Sequence, residues 1–75
     1  MTAAAIPPGV RVLAEALTVN GWSYTLNHAE DSIDVEARRG DSSIAVTWHA
    51  QQPGTYCELN WQEATFTKVM QAVAS

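Results

Sequence analysis

The side chains here best suited to bind a metal, or to act as nucleophile and base, are His28, His49 and Cys57, with carboxylates scattered between them. A structural zinc site draws its ligands from close pairs such as C-x2-C or H-x3-H, because several donors must converge on one ion. No such pair occurs. Around these residues the chain alternates apolar and polar positions, and successive side chains of a strand point to opposite sides. That parity sends His28 and Cys57 toward one side of a sheet and His49 toward the other. A cysteine nucleophile needs its base within hydrogen-bond reach. His49 is on the wrong side for Cys57, and His28 belongs to a strand two places away. Cys57 reads instead as a small core residue facing Trp48.

Other chemistries lack their residues. There is no Gly-x-Ser-x-Gly elbow, no phosphate loop and no dinucleotide fingerprint. Ser32, Ser42 and Ser43 fall at turns, where hydroxyls serve the backbone. Carboxylates paired on a flat, solvated sheet are not desolvated enough for general acid work. The reading is a non-enzymatic chain with no catalytic residue, no metal and no cofactor.

The elements that position these residues follow from periodicity. Val10, Leu13 and Leu17 recur at helical spacing, with Ala14 and Ala16 beside them. Pro8 suits a helix start, where its missing N–H costs nothing. Asn20-Gly21 suits the end, because glycine takes a left-handed conformation freely. A helix over 8–20 is expected, preceded by a flexible tail over 1–6. Trp22, Tyr24 and Leu26 then alternate, followed by Ile33, Val35 and Ala37, by Ile44, Val46 and Trp48, and by Cys57, Leu59 and Trp61. Each set lines one face of a strand, and all of these residues are expected inward.

Opposing the apolar faces pairs Leu26 with Val35 and Tyr24 with Ala37. It also pairs Val35 with Val46 and Ala37 with Ile44. That leaves Gly40-Asp41 as a two-residue loop, and glycine in first place marks a type II′ turn. Gln51-Gln52-Pro53-Gly54 then joins strands three and four, with Trp48 opposite Cys57 and Val46 opposite Leu59. Asn60 reads as a helix N-cap with Glu63 completing a capping box. Phe66, Val69, Met70 and Val73 give that second helix, over 61–74, its apolar stripe.

The expected fold is α+β: a two-layer α-β-β-β-(β)-α domain over 7–75, an antiparallel meander with both helices on one face. If the fourth strand is short, this order resembles that of the double-stranded-RNA-binding domain and of small ribonuclease toxins of toxin–antitoxin systems. That resemblance would imply an RNA binder or a small nuclease. The lysine cluster expected at the start of the second helix is absent, as is a Gly-Ser-His stretch of the toxin type.

Composition narrows the partners. Net charge is −4, and the only bases are Arg11, Arg38, Arg39 and Lys68. Nucleic-acid backbones are met by clustered Lys and Arg, so direct nucleic-acid binding is not favoured. No stretch approaches the roughly 18 apolar residues that span a bilayer, and the small, apolar start without basic residues is not expected to be a signal peptide. One cysteine permits no intrachain disulfide. A cytoplasmic location is expected.

The outward sheet face remains as the surface to map. The pairings predict a row of Asn27, Asp34, Thr47 and Glu58, a row of Thr25, Glu36, Ala45 and Asn60, and a third of Ser32, His49 and Tyr56. Tyr56, His49 and Glu58 are therefore the expected centre of a protein-docking patch for a partner with a basic surface, with Asp34 and Glu36 at its rim. An inhibitor, an antitoxin-like partner or a phage or mobile-element accessory protein fits such a chain. A third role is a homo-oligomeric module. The expected edge strands, 22–28 and 55–60, lack Lys or an interior Pro to block pairing, so a homodimer through an edge is expected as an option.

Overall fold

The structure is a computed structural model that describes residues 7–49 and 55–75. The N-terminal tail over 1–6 and the connection over 50–54 lie outside the described residues. The fold is α+β, as expected. Helix α1 (Pro8–Val19) leads into a meander of β1 (Ser23–His28), β2 (Ser32–Arg39), β3 (Ser42–His49), β4 (Thr55–Leu59) and β5 (Gln62–Ala64), and α2 (Phe66–Ala74) closes the chain. The five strands form one antiparallel sheet in sequential order. The two helices touch each other, and both bury their apolar stripes against the same side of the sheet.

The α1 boundaries and the first two hairpins match the sequence reading. Tyr24 pairs with Ala37, Leu26 with Val35, Val35 with Val46 and Ala37 with Ile44. Gly40 has φ 60° while Asp41 stays out of the positive-φ region, as a type II′ turn demands. Hydrophobic pattern and turn chemistry act on the same register here, so neither can slip alone.

The third hairpin differs. Val46 opposes Cys57, Ile44 opposes Leu59, and Trp48 opposes Thr55. The register is two residues from the expected one. A two-residue shift keeps every side chain on its own face, so hydrophobic alternation cannot distinguish the two pairings.

The C-terminal portion differs more. Asn60 and Trp61 both take positive φ, 53° and 69°, and Leu59 pairs with Gln62. They are the central pair of a type I′ hairpin turn, which requires positive φ at both positions. The chain therefore doubles back as β5 instead of entering a helix at 61. The helix cap is Thr65, whose hydroxyl accepts the Lys68 N–H at 3.1 Å. With five strands present, the α-β-β-β-α order does not describe this chain.

The core is Val10, Leu13 and Leu17 of α1, Ile33, Val35 and Ala37 of β2, Ile44, Val46 and Trp48 of β3, Cys57 of β4, Val69 and Val73 of α2, and Trp22. Trp22 caps one end. Its indole N–H donates to the Val73 carbonyl at 3.1 Å, and the Arg39 guanidinium lies 4.7 Å from the ring centroid. Arg39 also donates to the carbonyls of Asn20 and Ser75 at 2.9 and 2.8 Å, so one side chain ties both helix ends to β2. Three strand residues expected inside are only partly covered, and Leu59 of β4 is one of them, half-buried against the core. Tyr24 and Leu26 face the helix side by register yet stay 38% and 40% exposed, because β1 lies at the margin of the helix layer.

Candidate functional site

The outward face of the sheet carries two rows that matter. Asn27, Asp34, Thr47 and Tyr56 form the first. Thr25, Glu36, Ala45, Glu58 and Glu63 form the second. The two-residue shift of β4 moves Tyr56 opposite Thr47 rather than beside His49, and moves Glu58 into the row of Glu36 rather than that of Asp34. His49 stands one row farther along, opposite Ser32. The face therefore gathers Tyr56, Glu58, Glu36 and Asp34 closely and leaves exposed His49 at its end.

Short hydrogen bonds set these side chains. The Thr47 hydroxyl donates to Asp34 Oδ1 at 2.7 Å and holds that half-buried carboxylate against the sheet. The Tyr56 hydroxyl donates to Glu58 Oε2 at 2.7 Å. Positions two apart on one strand share a face, which is why this pair can meet. The bond to the Glu58 carboxylate raises the Tyr56 phenol above its ordinary 10.0, helped by partial desolvation and by the charges of Glu58 and Glu63. An acceptor already used by a hydrogen bond to the neutral phenol disfavours phenolate.

Glu58 and Glu63 are directly opposed across β4 and β5, with Glu36 in the same row. Like charges in direct cross-strand pairs are destabilising. The arrangement is not one that folding by itself favours.

The residue that sequence reasoning misplaced is Trp61. It was expected in the core; it is 70% exposed, at the turn joining β4 to β5. The turn is tied to the sheet through Asn60, whose N–H donates to the Ser43 carbonyl at 2.7 Å while its Oδ1 accepts the Ser43 N–H at 2.9 Å. The Asn60 side chain does accept a backbone N–H, as a cap would, but across the sheet. The signal available in the sequence was Leu59-Asn60-Trp61-Gln62, a two-residue loop with asparagine in the position that favours left-handed backbone. Tryptophan in second place disguises it, because glycine is the usual occupant.

Trp61 borders a concavity of about 490 Å³ on this face. Its other walls include Thr25, Glu36, Arg38, Ala45 and Glu58. Ala45 keeps the floor low, and two carboxylates rise on the sides. The Arg38 guanidinium lies 6.0 Å from the centre of the Trp61 ring, within cation–π range. The arrangement is a shallow acidic cup with an aromatic wall, suited to a flat or elongated cationic group.

On the other side, Cys57 is fully buried, and desolvation pushes its thiol above the ordinary 9.0. Burial disfavours thiolate, the nucleophilic form. A thiol reagent should therefore label Cys57 in urea and leave the native protein unlabelled over the same interval. The sign for stability follows from linkage: the folded state holds the proton more tightly than the unfolded one. The thiol's contribution is intact below pH 9 and declines as pH rises through the raised value. Urea melts should show a lower midpoint at about pH 10 than at about pH 8, and Cys57→Val should show a smaller decline. Rapid labelling of native protein would contradict the assignment.

His28 belongs to β1 on the helix side and His49 to the outward end of β3. Among the described residues, no three of His, Cys, Asp and Glu converge as a metal site would require. No helix among them is long and apolar enough to cross a membrane. Compared with protein-family models, with curated proteins and with solved structures, the chain matches none.

Proposed function

We propose that this chain is a small, acidic, non-enzymatic interaction domain that docks on a protein partner carrying a basic surface. The contact is made by the open sheet face, with Trp61 as anchor, Glu58 and Glu36 in the same cup, Tyr56 hydrogen-bonded to Glu58, Asp34 at the rim, and His49 at the far end. The observation that carries this reading is the exposed, left-handed Trp61 bordering the acidic cup. A bulky residue at positive φ is costly and persists where the surrounding structure holds it, often at functional positions. Aromatic residues of this kind dominate interface energetics. Carboxylates around them steer a basic partner and fix its register. The uncompensated Glu58–Glu63 pair gains a counter-charge when such a partner binds. An inhibitor or antitoxin-like accessory role is compatible with a chain that works by docking alone.

The test uses a synthetic peptide of alternating Arg and Gly, an acidic peptide of equal length, and duplex RNA. Trp22 and Trp48 are buried, so acrylamide quenching of tryptophan fluorescence reports chiefly on Trp61. The basic peptide should shield Trp61, and salt should weaken its binding. Glu58→Gln should weaken it about two- to five-fold, the worth of one exposed charge pair. The other two ligands should leave quenching unchanged. Binding of the duplex, falling steeply with salt, would favour the RNA-related alternative instead. Tyr56 and Trp61 on one open face give that alternative two stacking surfaces, but Glu36, Glu58, Glu63 and Asp34 oppose a phosphate backbone.

A further inference from the structure

Among the described residues the sheet has two free edges, and they differ. β5 is three residues long and carries Glu63 at its centre. β1 is six residues long, Ser-Tyr-Thr-Leu-Asn-His, with no carboxylate, no Lys and no Arg, and every residue is exposed. β4, expected as an edge, is covered by β5. β1 thus lacks the charges and prolines that commonly block strand addition.

Its backbone groups alternate in direction along the strand. The Ala29 N–H donates to the Ser32 carbonyl at 2.8 Å, so it points toward β2. In an antiparallel pair, bonded and non-bonded positions alternate. Asn27, Thr25 and Ser23 therefore direct their N–H and C=O groups at β2, and His28, Leu26 and Tyr24 direct theirs at the free edge. The side chains of Tyr24 and Leu26 lie on the helix side, where each keeps more than a third of its surface exposed. Beside them, α1 and β1 enclose a groove of about 280 Å³ lined by Ala14, Glu15, Thr18, Val19 and Tyr24.

We infer that two copies of this chain pair antiparallel through β1, about a two-fold axis at Thr25. Tyr24 of each copy then faces Leu26 of the other, and these are the positions whose backbone groups point outward. The pairing joins an aromatic to an aliphatic side chain twice, a favourable cross-strand match. It also brings Leu26 of the second copy toward the groove beside α1. The strand's own sequence selects the occupant, because a second copy sets Leu26 against Tyr24 on both sides of the axis. At a net charge of −4, two copies repel through the acidic open face, and the neutral β1 edge lets them approach without opposing carboxylates on the strands. The contact is isologous, so it closes at two copies. It leaves the open face free and does not depend on the function proposed above.

Sedimentation equilibrium of the full chain over a wide concentration range tests it. The apparent mass should rise from one chain toward two. Leu26→Lys should stay at one chain at all concentrations, with the circular dichroism of the parent. Thr25→Cys should form a disulfide-linked dimer in air, because facing non-bonded positions bring Cα atoms to about 4.5 Å. Asn27→Cys faces Ser23 of the other copy and should remain reduced. A mass fixed at one chain would overturn the inference. So would a dimer undiminished by Leu26→Lys, or cross-linking through Asn27→Cys and not through Thr25→Cys.

Discussion

Trp48→Ala should unfold this domain or leave it on the edge of unfolding. Trp48 is buried at the end of β3, paired with Ile33 of β2 and Thr55 of β4. Phe66 of α2 meets its ring edge-on, with centroids 6.1 Å apart and planes at 70°. On α1, Gly9 approaches so closely that a Cβ there would fall 3.2 Å from Trp48 Nε1. One indole therefore touches both helices and lies at the centre of three strands. Its removal forfeits transfer free energy and leaves a cavity that the helices and sheet cannot all close, at a cost of about 3–5 kcal/mol. A single core of this size rarely supplies more than about 3–5 kcal/mol in total. The expected result is loss of a cooperative thermal transition at ordinary temperature. Trp48→Phe, which keeps a ring against Phe66, should retain the transition at a lower midpoint. A Trp48→Ala variant melting with the parent would contradict the core assignment.

The second hairpin was fully legible in the sequence because two independent constraints met there. At Gly40-Asp41 the II′ turn and the Val35–Val46 alternation each demanded one register, and the structure has it. At the third hairpin only alternation spoke. Alternation has period two, so it cannot separate Val46–Leu59 from Val46–Cys57, and the structure has the latter. At Asn60 two local rules competed. Asparagine serves as an N-cap and as the first residue of a I′ turn, through its short amide in the one and its tolerance of left-handed backbone in the other. Glu63 made the capping box look complete, yet Thr65 caps the helix and Glu63 faces Glu58 across a strand pair.

The candidate site shows the same division. Strand parity placed Tyr56, Glu58, Glu36, Asp34 and His49 on the outward face, and they are there, because a two-residue slip preserves parity. What parity could not supply was the neighbours along each row. The Tyr56–Glu58 hydrogen bond, the Glu58–Glu63 opposition and the separation of His49 all depend on register or rotamer. Trp61 was hidden for a different reason. Its place in the run Cys57, Leu59, Trp61 made it look like the next inward residue, and only the turn at 60–61 takes it out of the core. A large apolar side chain at a position that favours glycine is a local conflict, and such conflicts mark functional or strained positions.

Trp61→Gly puts that conflict to the most direct test, since stability and binding should move in opposite directions. Left-handed backbone costs a residue with a Cβ about 1–2 kcal/mol, which glycine does not incur. The Trp61 side chain projects into solvent and is 70% exposed, so its removal leaves no cavity. Losing the exposed Arg38 contact costs about 0.5–1 kcal/mol in the other direction. The backbone relief outweighs that loss, so the variant should be more stable by about 0.5–1 kcal/mol, raising the midpoint by a few degrees at this size. Its affinity for the Arg-Gly peptide should fall about thirty-fold, the loss expected when an interface anchor worth about 2 kcal/mol is removed. Thermal melting and peptide titration of the same Trp61→Gly sample give both numbers. A higher melting midpoint with the peptide affinity reduced about thirty-fold is the predicted result, and a peptide affinity equal to the parent's would contradict a docking role for this face.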